Sequence, residues 1–140
     1  METVHGTTVG IGAAGVLLRG KPGSGKSDLA LRLIDRGAIL VADDRTGLNN
    51  QDGEIIARAP ENLRGLLEVR GVGLVRVPTQ ETARLMLTVD LETPAERLPA
   101  PISATLLGVP IPLLRLAAFD PSTPAKIRLA VRTGPDDIVR

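Results

Sequence analysis

The chain has 140 residues, 43% of them hydrophobic, and a formal net charge of +1 from 17 basic and 16 acidic side chains. That is the length of one ordinary domain with enough apolar content for one core. A near-neutral charge and a single aromatic residue argue against a nucleic-acid partner, which needs a basic footprint or a stacking platform. The absence of cysteine excludes disulfides and thiolate chemistry. No apolar run reaches membrane-spanning length and no signal-peptide pattern opens the chain, so the expectation is a cytoplasmic protein with no membrane partner.

Residues 3–11 are β-branched and apolar, broken by Gly6, and read as strand. His5, the one histidine, lies there; a lone histidine is more often structural than catalytic. Residues 15–19 form a short apolar strand bounded by glycines. Then comes Gly20-Lys21-Pro22-Gly23-Ser24-Gly25-Lys26-Ser27, which fits the phosphate-loop pattern G-x-x-x-x-G-K-[ST] in full. Its glycines let successive N–H groups converge on one anion. Lys26 brings charge to the β- and γ-phosphates, and Ser27 offers a hydroxyl to Mg²⁺. Residues 27–36 read as a helix with Leu29, Ala30, Leu33 and Ile34 on one face and Gly37 as its stop. Its N-terminal dipole would add to the anion site.

Residues 38–42 are a continuous apolar run ending at Asp43-Asp44. Carboxylates at such a strand end project towards bound ligands, where one can take a proton or hold Mg²⁺ through water; the bland alternative is a solvated turn. The cluster 49–53 between 46–48 and 54–57 predicts a hairpin, and residues 60–65 a loop or short helix. Residues 67–70 read as a strand meeting Gly71-Val72-Gly73, with Glu68 and Arg70 on one face. Ala83, Leu85, Leu87, Val89 and Leu91 alternate with polar or exposed-type residues, the pattern of a half-buried strand. After a proline-rich loop over 93–101, residues 102–107 and 109–116 are two strand candidates around Gly108. Pro110 and Pro112 place the second at a sheet edge. Ser122-Thr123-Pro124 starts a helix running to about Arg132. The expected organisation is a single domain over 1–134 with a flexible tail over 135–140.

In this order, His5-Gly6-Thr7, the phosphate loop, Leu40-Val41-Ala42-Asp43-Asp44, Glu68-Val69-Arg70-Gly71-Val72-Gly73-Leu74 and Glu96-Arg97-Leu98 resemble the catalytic domain of HPr kinase/phosphorylase. The resemblance implies an α/β fold: a phosphate-loop-containing, phosphoenolpyruvate carboxykinase-like mixed β-sheet with few helices, in the compact form lacking an N-terminal domain. It implies an ATP- and Mg²⁺-dependent serine kinase acting on the phosphocarrier protein HPr or a close relative. Such enzymes regulate carbon metabolism through the phosphotransferase system and assemble as hexamers. Carried over by residue, Asp44 is the proton acceptor in phosphorylation and the donor in the reverse reaction. Asp43 is able to exchange roles with it. Lys26 binds the transferred phosphoryl group, Ser27 and Glu68 ligate Mg²⁺, and His5 and Arg97 surround the phosphate. Arg70, Gly71 and Gly73 belong to the partner and catalytic segment.

Fewer residues than usual separate Glu68 from Arg97. The family's late Pro-x-Arg/Lys-Pro-Gly-Arg-Asn loop is replaced by Ala118-Phe119-Asp120-Pro121-Ser122-Thr123-Pro124-Ala125-Lys126. That loop supports phosphate removal by inorganic phosphate or water, with pyrophosphate as a product of the former. Lys126 and Arg128 are the candidate substitutes. Two other readings of the residues stand beside this one: a small-molecule phosphate-loop kinase, and a nucleotide-binding regulatory module without catalysis. The shortage of aromatic residues leaves an adenine to lie against aliphatic side chains or to be loosely held, with weak discrimination between purine nucleotides as the expectation.

Overall fold

The computed structural model describes residues 1–133 and Ile138; most of the predicted tail lies outside the described residues. The sheet is built around one central strand, β9 (Thr82–Asp90). On one side it pairs in parallel with β3 (Ala14–Arg19). Its other side is shared. The first half meets β6 (Glu54–Arg58) antiparallel, and the second half meets β11 (Val109–Arg115) in parallel. Outward from β3 run β2 (Thr7–Ile11) and β4 (Ile39–Ala42), and outward from β6 run β5 (Arg45–Gln51) and β1 (Glu2–His5). β10 (Ile102–Leu106) pairs with β11 and closes that edge. A separate hairpin joins β7 (Leu66–Val69) to β8 (Gly73–Arg76). Two helices, α1 (Lys26–Asp35) and α2 (Thr123–Arg132), complete the described elements with a 3₁₀ turn at Glu61–Leu63.

Helix α1 forms where the apolar spacing places it. Leu29, Ala30 and Leu33 are fully buried, and they pack with Val9, Val16, Leu18, Leu40, Leu67 and Ile127. It stops at Gly37, whose φ of 104° only glycine adopts freely and whose N–H bonds the Ile34 carbonyl at 3.0 Å. A second core on the opposite face of the sheet contains Leu17, Val41, Leu48, Ile55, Ala57 and Ile111. Adjacent residues of β3 and β4 therefore serve different cores, which explains why both strands read as continuous apolar runs rather than alternating ones.

Three expectations are corrected. Residues 49–51 are strand, not turn; only Asp52-Gly53 turns, with φ of 55° and 88°. Strand β11 is not at the edge, because β10 covers one side and β9 meets it from Leu113 onward. Pro110 and Pro112 precede that second contact, so the missing N–H groups interrupt no pairing with β9. The alternation in β9 does not mark one face. Ala83 and Leu85 join the second core, whereas Leu87 and Val89 join the first. The register skips from Gly15↔Leu85 to Val16↔Leu87, a bulge that moves the apolar side across the sheet.

Candidate functional site

The phosphate loop links β3 to α1 and is shaped by glycines where side chains cannot go. Gly23 and Gly25 have φ of 85° and 99°. A Cβ on Gly25 would lie 2.8 Å from Phe119 Cζ and 2.9 Å from Ala118 Cβ. Gly25→Ala is therefore expected to destabilise the fold by roughly 1–3 kcal/mol, from the positive φ and the crowding together. Urea unfolding checks this, and an unchanged midpoint would contradict it. The Ser24 amide closes the turn on the Lys21 carbonyl at 3.0 Å. Lys26 is buried, and its Nζ bridges the loop by donating to the carbonyls of Gly20 at 2.6 Å and Lys21 at 3.1 Å.

Asp43, at the end of β4, gathers the parts. Its Oδ1 accepts from the Ser27 hydroxyl at 2.8 Å and the Thr7 hydroxyl at 2.9 Å, and its Oδ2 from the Glu68 amide at 3.1 Å. The aspartate is thus tied at once to the phosphate loop, to β2 and to the β7–β8 hairpin. Asp44 differs. It is exposed, and its φ is 67°. The Arg45 amide bonds the Asp43 carbonyl at 2.7 Å, so Asp44 sits at the centre of a three-residue turn, with the positive φ of the rarer and more strained γ form. Its amide donates to Thr7 Oγ1 at 3.1 Å and its carbonyl accepts from the Gly6 amide at 2.8 Å. Thr7 of β2 and Gly6 just before it hold this strained residue in place, as happens at functional sites.

Asp43 and Asp44 line a cavity of about 760 Å³ whose other wall is the hairpin: Leu66, Glu68, Arg70, Gly71 and Gly73 among others. Asp44 also borders a second cavity of about 420 Å³ with Thr3, Arg45 and Asn62. Gly71 and Gly73 carry φ of 88° and 127°, which the tight hairpin requires. His5 ends β1 opposite Arg45, next to the Asp44 turn, yet it lines neither of these cavities. Arg97 lies in the exposed stretch 93–101 and lines neither of these cavities. Arg128 donates to the Arg36 carbonyl, beside the C-terminal end of α1 and away from the loop, which removes it as a substitute for the missing phosphate-removal residues.

Thr7, of the His5-Gly6-Thr7 segment, links the two aspartates. Residues not singled out in the sequence also shape the site. Glu92 Oε1 accepts the Lys21 amide at 2.7 Å and so braces the phosphate loop. Glu92 is held in turn by Asp90, whose Oδ1 accepts the amides of Glu92 at 2.8 Å and Thr93 at 3.3 Å. Burial pushes the Asp90 carboxyl up, but the Thr93 hydroxyl, these two amides and the Arg115 charge outweigh it and leave the group below its ordinary value. A depressed folded value stabilises the fold above the ordinary carboxylate range and loses that contribution as pH falls through the folded value. Asp90→Asn is therefore expected to lower the unfolding midpoint at neutral pH and to lose its deficit below about pH 4. A pH-independent difference in thermal melts would contradict this.

The profile of the family described as HPr Serine kinase C-terminal domain matches residues 1–100. A protein named HPr kinase/phosphorylase from Acidovorax sp. (strain JS42) is 44% identical over 124 residues, covering 78% of this chain and 39% of that protein. Its namesake from Bordetella pertussis is 42% identical over 123 residues, with 78% and 40% covered. The one from Clostridium beijerinckii is 45% identical over 76 residues, 54% of this chain and 25% of its own length. The chain thus spans between a quarter and two fifths of these curated relatives. A solved structure, the Hpr(Ser) kinase/phosphatase from Coxiella burnetii, superposes with a TM-score of 0.82 at 28% identity, covering 94% of this chain and 95% of that one. The mixed sheet with few helices is therefore the fold of that protein as well. With that profile matching residues 1–100 of its 140, the chain belongs to the HPr Serine kinase C-terminal domain family.

Proposed function

We propose that this chain is the catalytic unit of an ATP-dependent protein-serine kinase whose acceptor is an HPr-type phosphocarrier protein. The observation that carries the reading is the placement of Asp44. An exposed, strained carboxylate stands on the wall shared by two cavities, one residue from the aspartate that holds Ser27 of the phosphate loop. A kinase needs that juxtaposition: a phosphate cradle, and beside it a base facing the side from which a protein hydroxyl arrives.

The donor set fits Mg²⁺. The Ser27 hydroxyl and the Asp43 carboxylate are 2.8 Å apart beside the loop, and Glu68 lines the same cavity as Asp43; hydroxyl and carboxylate oxygens are the ligands a hard cation takes. Ser27, Asp43 and Glu68 would hold the ion, which would neutralise charge on the terminal phosphates when bound. Lys26 exchanges its loop carbonyls for phosphate oxygens and stabilises charge on the transferred group. Asp44 accepts the proton of the serine hydroxyl as that oxygen bonds the γ-phosphorus and the bond from that phosphorus to the β–γ bridging oxygen breaks, releasing ADP. Arg70, Gly71 and Gly73 form the wall against which the acceptor rests, and His5 and Arg97 act at the margin. The reading extends to a cytoplasmic hexamer that regulates carbon metabolism through the phosphotransferase system. It also includes dephosphorylation by inorganic phosphate, with pyrophosphate released, or by water.

Incubating the purified chain with γ-labelled ATP, Mg²⁺ and HPr is the direct test. Label appearing on a serine of HPr supports the kinase. Nucleotide binding with no transfer to HPr would point instead to a regulatory module, and label on a small molecule to a metabolite kinase.

A further inference from the structure

The chain has one aromatic residue, Phe119, and it is 67% exposed. It lies in the turn between β11 and α2, and that turn is pinned. Arg32 of α1 donates to the carbonyls of Ala118 and Asp120, and the Thr123 hydroxyl donates to the Ala117 carbonyl. The Asp120 carboxylate accepts the Ser122 amide at 3.0 Å and hydroxyl at 2.9 Å. Because Arg32 sits on the helix that leaves the phosphate loop, the turn that carries the ring is fixed relative to that loop. Its edge packs on Gly25, where an added Cβ would meet Phe119 Cζ at 2.8 Å, one residue before Lys26. The remainder of the ring faces solvent.

A rigid, mostly uncovered ring beside a phosphate cradle matches the chemistry of a nucleobase, which stacks on aromatic faces. We infer that Phe119 is the platform on which the base of the bound nucleoside triphosphate stacks; this rests on the reading of residues 20–27 as a nucleotide site. An aromatic ring thus stands beside the two sequence-based expectations, aliphatic contact and a loosely held base. Distance in sequence hid the pairing of the single ring with the loop. Stacking tolerates any base because each has a π face, so ATP and GTP bind with similar affinity.

The test compares wild type, Phe119→Ala and Phe119→Trp by titration with ATP, GTP and tripolyphosphate, which carries the phosphates without a base. Phe119→Ala is expected to weaken ATP and GTP roughly ten-fold or more and to leave tripolyphosphate within about two-fold. Phe119→Trp introduces the chain's one tryptophan; its emission should be quenched by ATP and not by tripolyphosphate. Unchanged ATP affinity in Phe119→Ala would overturn the inference. So would equal weakening of ATP and tripolyphosphate, which would make the turn a brace for the loop. Loss of self-association in sedimentation with ATP affinity intact would also overturn it, assigning the ring to an interface between copies. If wild type bound neither ATP nor tripolyphosphate, the nucleotide-site reading itself would fail and take this one with it.

Discussion

Asp44→Asn is expected to lower phosphoryl transfer to HPr by roughly 10²–10⁴-fold, the usual contribution of a positioned general base, while ATP and Mg²⁺ still bind. The substitution isolates the carboxylate. Asparagine adopts positive φ readily, so the turn at φ 67° persists. The bonds that hold the residue, from its amide to Thr7 and from the Gly6 amide to its carbonyl, belong to the backbone and survive. Transfer at the wild-type rate would remove Asp44 from the mechanism. Asp43→Asn supplies the contrast. Asp43 accepts two hydroxyls on one oxygen and an amide on the other, and an asparagine must set its NH₂ against donors on one side. That mismatch costs about 1–3 kcal/mol and loosens Ser27, so nucleotide and Mg²⁺ binding should weaken along with transfer. Two adjacent aspartates with the same defect in every assay would mean that the geometry does not separate their roles.

Lys26→Ala should reduce transfer by at least about 10³-fold, since under the proposed mechanism its buried charge stabilises the transferred group and is worth more than a single neutral donor. Lys26 is only 7% exposed, and its ammonium spans the loop between Gly20 and Lys21. Removing it frees two part-buried carbonyls and empties the slot of a buried stem, so the melting temperature should fall modestly while the fold persists. Lys26→Met keeps the apolar stem in its slot and separates lost charge from lost packing. Lys26→Arg should not rescue, because a planar fork does not fit a point-charge site closed around an ammonium. Wild-type transfer by Lys26→Met would place the phosphate contact elsewhere.

Local order is where sequence reading reached furthest. The strand, glycine loop and helix over residues 15–36 are specified by neighbours within a few positions: apolar spacing, glycines at positive φ, and a glycine stop. The Glu68-to-Gly73 segment was visible for the same reason, since a tight hairpin needs its glycines where they stand. Strand β8 beyond it carried too weak a pattern to be recognised, its Leu74 lying exposed. Along β9 a regular alternation suggested one buried face, and the bulge against β3 cannot be seen without the partner strand.

At the site, sequence pattern alone determined that a glycine loop of phosphate-loop pattern is followed by a strand ending in two carboxylates, because each motif is contiguous and is carried by residue type. Only the tertiary structure decided what separates those carboxylates. Asp43 is bound to Ser27, Thr7 and the Glu68 amide, whereas Asp44 is strained and open to two cavities. It also decided that Phe119 lies on Gly25 and that Glu92 braces Lys21. Those contacts join residues far apart in the chain. Sheet pairing and helix packing set them, and no local periodicity encodes which distant side chains will meet.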